Sequence, residues 1–471
     1  MIKLSKLMLI PLYFLFLPAF CIPGGALSTF IPVYNIFLYV CIGVIGVFFL
    51  NKYITRLFLC YKHTSYKYLI FFIVYCILSD LILLIFQVIS LPNFIYSILV
   101  IIIGYYFFYS IYPVIIVNNN FSEKEVFKFI IASIWVILIW GIIEFIGELY
   151  NITPIIFLES IISNKLSLIT GTPSSILLRI KSVFTEPGFY AYFLNINLIF
   201  IYNISKTKYQ IFKNKILNKL LKTTIIPLTL INILLTFSPI NIIFMLVIIF
   251  IYLVKAYKQK VLVILPIIFV IAFQILQLDI VQESRPYKRI QSTIVSFTNL
   301  EKFANDEASL YTRICSYVNL MYIWKQYPIL GVGSGLSKNY TMEQFKNLPI
   351  PLSREIIFKM NNSYKGCNLA ILYSTLAENG IIGFILLYAY FIKTILSLCK
   401  IKQYFTGFEY VLINSLIPTL IITVILTCYE SFLINSPYTF LVFILANSFH
   451  LKYWLKQNTK NSLLATINER V

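Results

Sequence analysis

"TTIIPLTLINILLTFSPINIIFMLVIIFIYLV", residues 223–254, carries no charged side chain from end to end. As one α-helix it would reach about 48 Å, far beyond the roughly 30 Å hydrocarbon core of a bilayer. Lys219 and Lys222 precede it, and Lys255, Lys258 and Lys260 follow it. Two basic flanks belong on the same side of a membrane, so the segment crosses an even number of times. Pro239 supplies the helix break, which predicts a helical hairpin with its apex at Thr236 to Asn241.

Similar apolar runs recur along the chain. Hydrophobic residues make up 59% of the 471 positions and charged ones 12%, too little polar surface for a set of soluble domains. The ten-residue alternation of a transmembrane barrel is absent. The expected class is therefore an all-α polytopic membrane protein. Spans are expected at 7–22, 31–50, 69–90, 94–117, 128–148, 187–203, two within 223–254, 261–281, 379–398, 408–428 and 433–451. That gives about twelve transmembrane helices. Residues 7–22 also fit a signal peptide, but bulky Phe20 makes "LPAFC" a poor cleavage site, so a retained span is expected.

The formal charge of +20 has a topological cause. Over half of the 38 lysines and arginines cluster in alternate loops. These are Lys3 and Lys6; Lys52 to Lys67; Lys206 to Lys222; Lys255 to Lys260; Lys400 and Lys402; and Lys452 to Arg470. Positive-inside bias puts them in the cytoplasm, so no nucleic-acid partner is needed. Both termini then lie inside. Residues 1–281 hold the first nine helices and an outward loop, 149–186; residues 282–366 form a large outward loop. The last three helices occupy 367–451, and 452–471 is a cytoplasmic tail.

His63 and His450 fall on the inner side, so outer-face chemistry would rest on carboxylates, hydroxyls, amides and cations. No CxxC pair suggests zinc, and only Cys315 and Cys367 lie where a disulfide is permitted. In the large loop, "DEASLYTRICSYVNLMYIWKQYPILGVGSGL" (306–336) reads as a helix. Its apolar stripe is 310, 314, 317, 318, 321 and 324, with Arg313 off the stripe. Gly331, Gly333 and Gly335 then form either a plain turn or a nest of amides facing a phosphate; no Gly-Lys-Ser/Thr follows. Asp80, Glu144 and Glu378 lie in apolar spans, where an acid is either functional or a buried hydrogen-bonding group.

Three stretches, in order, resemble the Wzy-type O-antigen polymerase and O-antigen ligase superfamily. They are "RIKSVFTEPGFYA" (179–191), "SLYTRICSYVNLMYIWKQYPILGVGSG" (309–335) and "CNLAILYSTLAENGIIGF" (367–384). "LLTFSPINII" (234–243) is similar to the family's Thr-x-Ser hairpin, with Pro239 where an Arg is usual. The resemblance implies glycosyl transfer between undecaprenyl-diphosphate-linked oligosaccharides at the outer face of the bacterial inner membrane. A flippase and a chain-length regulator are the partners it implies; cofactors and metals are expected to be absent.

Arg179 and Lys181 would meet the diphosphate, with Glu186 as the general base. Arg285, Arg289, Arg313, Ser238, Asn368 and Glu378 complete the expected substrate-binding set. Each has a plainer reading: interface anchors for the cations, a helix-dipole partner for Glu186, and a structural ion pair of Arg313 with Asp306 or Glu307. Cys367 stands where the ligase pattern has a histidine, which favours a polymerase over a ligase. A lipid-linked oligosaccharide flippase is a third reading, though it does not need the large loop.

The topology makes a direct prediction. In a cysteine-free background, a membrane-impermeant maleimide added outside should label Tyr340→Cys and leave Lys213→Cys untouched. The reverse pattern would overturn the inside–outside assignment.

Overall fold

A computed structural model describes residues 65–102, 123–156, 187–205, 212–236, 238–257, 308–337, 371–427 and 445–457, together with 180–182 and some isolated positions. Among the described residues the regular structure is helical, with no strand. The elements needed here are α1 (Tyr66–Ile85), α2 (Leu91–Ile101), α3 (Glu123–Leu149), α4 (Pro187–Ser205), α5 (Lys215–Leu235), α6 (Pro239–Tyr257), α7 (Ala308–Gln326), α8 (Ile371–Ile401) and α9 (Gly407–Leu426).

Four described helices are long and apolar enough to cross a membrane: Tyr66–Ile85, Lys215–Leu235, Ile371–Tyr404 and Gly407–Leu426. The expected spans at 7–22, 31–50 and 261–281 lie outside the described residues, as do part of 94–117 and residues 433–441 of the span expected at 433–451.

The hairpin at 223–254 is present. Asn214 caps α5 by accepting from the backbone N–H of Ile216 and Leu217 at 2.9 and 3.3 Å. The helix ends at Leu235, and Pro239 opens α6, where its missing N–H costs nothing. α4 is the central helix. Its residues Tyr190–Phe200 are buried, and it packs on α5, α6 and α9.

α8 differs most from the sequence expectation. It starts at Ile371 rather than 379 and is broken at Gly380, whose φ of 63° and ψ of −172° are not helical. The break frees backbone groups that a continuous helix would pair. They are taken up by the turn after α7: Val332 and Gly333 donate to Ala377 O and Glu378 O at 2.9 and 3.0 Å, and Ile381 donates to Pro328 O at 2.9 Å. The two backbones touch so closely that a Cβ on Gly380 would lie 1.9 Å from Ile329 O. A broken helix is tolerated inside a bundle only when its freed backbone groups find new partners.

α7 corrects the stripe reading. Its buried face is Tyr311, Thr312, Cys315, Ser316, Asn319, Leu320 and Ile323, with Arg313 partly exposed at the border. The expected apolar stripe is instead the more open side, with Val318 exposed and Ile314, Tyr317, Met321 and Trp324 half-buried.

Gly380→Ala should destabilise the protein by at least about 1–3 kcal/mol from the left-handed backbone alone, before the clash is counted. Ile382→Ala, at an exposed neighbour, should change little. Thermal unfolding of detergent-solubilised protein checks this; equal melting of the two variants would remove the interlock.

Candidate functional site

The segment around Lys181 is held from three directions. Ile180 N–H donates to Leu235 O at the end of α5, at 3.2 Å. Glu144, wholly buried on α3, accepts from the N–H of Lys181 through Oε1 at 3.1 Å and from that of Ser182 through Oε2 at 2.6 Å. Ser182 has a φ of 53°, and its hydroxyl donates to Ile137 O at 3.0 Å. Consecutive amides turned toward one anion form a nest, and here the anion is the protein's own carboxylate. Close packing of the helices below allows this. Gly141 on α3 lets Asn232 and Tyr190 approach, and Tyr190 Oη donates to Asn232 Oδ1 at 2.8 Å.

The hairpin apex and the start of α4 are tied by amides. Asn241 Nδ2 donates to Ser238 Oγ at 2.9 Å and to Gly188 O at 3.2 Å. Asn195 Nδ2 donates to Asn241 O at 2.8 Å. Arg313 joins this group from α7: a Cβ on Gly188 would stand 3.7 Å from its Nη2. Glycine at 188 thus leaves room for a guanidinium at the first turn of α4. Beside it, Tyr311 donates to Pro351 O at 2.8 Å. Burial pushes its phenol well above the usual range, which keeps it a neutral donor.

The glycine turn is a turn with occupied amides. Ser334 N–H donates to Asp80 Oδ1 at 3.3 Å and Gly335 N–H to Glu378 Oε2 at 2.9 Å. Ser97 Oγ donates to Asp80 Oδ2, and Ser337 Oγ to Glu378 Oε1 at 2.5 Å. Asn379 Nδ2 donates to Ser334 Oγ at 2.6 Å. Tyr75 and Ser79 of α1 donate to Ile329 O and Leu330 O at 2.6 and 2.9 Å. With Gly331 N–H on Tyr327 O and Leu336 N–H on Gly333 O, each amide from 331 to 336 has a protein acceptor. Of the two readings of Gly331, Gly333 and Gly335, the phosphate nest has no amides left to offer.

Of the expected site residues, the structure brings Lys181, Ser238 and Arg313 to the region where α4 begins and the hairpin turns. It places Glu378 in the interlock below the turn. Arg179, Glu186, Arg285, Arg289 and Asn368 lie outside the described residues, as does Cys367. The sequence reading missed Asn195, Asn232, Asn241, Tyr190 and Ser182. The available signal was polar side chains at buried positions of otherwise apolar runs.

These elements define a class: a helical membrane protein whose motif-bearing loops are locked together by polar groups at the ends of apolar helices. Within it, residues 225–388 match the family model described as O-Antigen ligase. The matched interval runs from α5 through the hairpin, α7 and the glycine turn into α8, and spans less than half of the 471 residues. No curated protein matches the chain. Over that interval the chain is similar to the O-antigen ligase family, which is consistent with the resemblance carried by the motifs quoted above.

Glu144→Ala would leave the buried N–H of Ser182 and the part-buried N–H of Lys181 without this acceptor, at about 1.5–3 kcal/mol for a hydrogen bond to a charged group. Folded yield and melting temperature should fall clearly, and Glu144→Gln, which keeps one acceptor oxygen, should fall less. Equal stability of the Ala variant and the parent would show that the carboxylate does not hold the 180–182 segment.

Proposed function

We propose that the chain is a polysaccharide polymerase working on undecaprenyl-diphosphate-linked repeat units at the outer face of the bacterial inner membrane. A hydroxyl of one lipid-linked unit attacks the anomeric carbon of the sugar joined to diphosphate on another. The new glycosidic C–O bond forms as the C–O bond to diphosphate breaks, and undecaprenyl diphosphate leaves with the bonding pair. Arg313, with Arg179 and Lys181, stabilises the charge that grows on that leaving group. Fixed cations aimed at developing charge are among the strongest contributors to a transition state. Glu186 takes the proton of the attacking hydroxyl. Arg285, Arg289 and Asn368 join them from 282–366 and the start of the last motif.

The observation that supports this reading is convergence. Stretches far apart in sequence, at 180–182, 234–243 and 309–335, meet around Gly188, and Arg313 is the cation at the meeting point. The choice of polymerase over ligase rests on Cys367, where a ligase carries a histidine. Deleting the gene and sizing surface glycans separates the readings. A polymerase mutant keeps a single repeat unit attached, a ligase mutant attaches none, and a flippase mutant exports none.

Arg313→Ala and Arg179→Ala should each shorten or abolish polymer while the protein remains in the membrane. Loss of one charge-assisted hydrogen bond predicts a roughly 10- to 150-fold fall in rate, with only partial rescue by Lys, whose ammonium lacks the bidentate fork. Purified protein should work equally well in excess EDTA. Normal chain lengths in both Ala variants would remove the cations from the mechanism, and EDTA-sensitive activity restored by magnesium would replace them by a metal.

A further inference from the structure

The turn 327–337 sits within the helix bundle, not on top of it. Its partners Ser79 and Asp80 lie five to six residues before the end of α1, Ser97 lies six residues into α2, and Glu378 lies seven residues into α8. At 1.5 Å per residue these positions lie roughly 8–11 Å along each helix from its described end. α1 and α8 are both long and apolar enough to cross a membrane. Irregular backbone buried between helices must be satisfied by protein, and the satisfying groups are two buried carboxylates, each accepting one backbone amide and one serine hydroxyl.

α7 runs directly into this turn. Leu320 and Ile323 pack with Val332 and Ala377, and Tyr317 stacks on Tyr373 with ring centroids 4.8 Å apart. The other end of α7 carries Arg313 at Gly188. One end of the helix is therefore moored between α1, α2 and α8, while the other presents the cation at α4.

We infer that Asp80 and Glu378 are positioning residues: by mooring the re-entrant turn 327–337 they fix α7, and through it the Arg313 guanidinium at the first turn of α4. The inference rests on the proposed diphosphate role of Arg313 for its catalytic consequence, but the mooring itself is testable without activity. It also moves Glu378 from the expected substrate-binding set to a support beneath it.

Cys315, two residues from Arg313 and 2% exposed, reports the docking of α7. In full-length, detergent-solubilised protein with the other seven cysteines replaced, its rate of maleimide labelling is measured against labelling in SDS. Asp80→Asn and Glu378→Gln should each raise that rate about tenfold or more. Ser97→Ala and Ser337→Ala, which remove one donor and keep the charge, should raise it less, and these milder variants serve if the first pair does not fold. Unchanged labelling in all four overturns the mooring.

The catalytic arm uses the wild-type cysteines. Glu378→Gln should lower kcat for lipid-linked repeat units in the parent and have no further effect in an Arg313→Ala background, since both act through one group. Additive losses overturn transmission to Arg313. Full turnover by Arg313→Ala alone overturns the diphosphate reading, and with it the catalytic consequence, whatever the labelling shows.

Discussion

A carboxylate buried in an apolar helix and a loop amide buried beside it solve each other's problem. Inside a membrane protein neither can turn to water, and an unpaired N–H or an unpaired anion at that depth costs several kcal/mol. The chain uses this pairing three times. Glu144 takes the amides of Lys181 and Ser182, Asp80 takes that of Ser334, and Glu378 takes that of Gly335. In each case both carboxylate oxygens accept, and the loop they hold carries one of the motifs. The charge is thus spent on fixing backbone, and the motif side chains are left to project from a rigid base.

Polar side chains also mark the protein-facing side of α7, where Thr312, Ser316 and Asn319 are buried while Val318 is exposed. Helix association without water gains little from apolar contact and depends on packing and hydrogen bonds. α4 follows the rule with Asn195 and Asn197 inside, and α5 with Asn232 bonding Leu138 O and Leu228 O. A polar side chain on an apolar helix is therefore the best marker of which face meets protein, and the site lies where such faces converge.

The sequence made the helical class, the hairpin and its apex legible, because charge and a proline act locally. It gave α4 and α9 nearly to the residue. The break in α8 was not legible, since Gly380 looks like any helical glycine until its backbone is seen against Ile329. Arg313 stood out in the sequence as a cation off the apolar stripe of its helix, and Lys181 and Ser238 entered the candidate set by resemblance. The amide partners Asn195 and Asn241 were missed because their role exists only between helices far apart in sequence. The glycine turn was readable as a turn or a nest, and only the partners of its amides decide between them.

Buried, and committed to holding loop amides, Asp80, Glu144 and Glu378 are poorly placed to take a proton from an incoming sugar. A general base needs to lie within hydrogen-bond reach of the hydroxyl it deprotonates. In the proposed mechanism this points to Glu186, one residue before α4 and two before the glycine that faces Arg313. A diphosphate leaving group lowers the demand on that base, because bond breaking at the anomeric carbon can run ahead of attack. The larger share of the barrier then falls to the cations, and hence to whatever holds Arg313 still. In the proposed mechanism, rigidity assembled from buried amide–carboxylate pairs is part of the chemistry, since a guanidinium stabilises a developing charge best when it need not move to meet it.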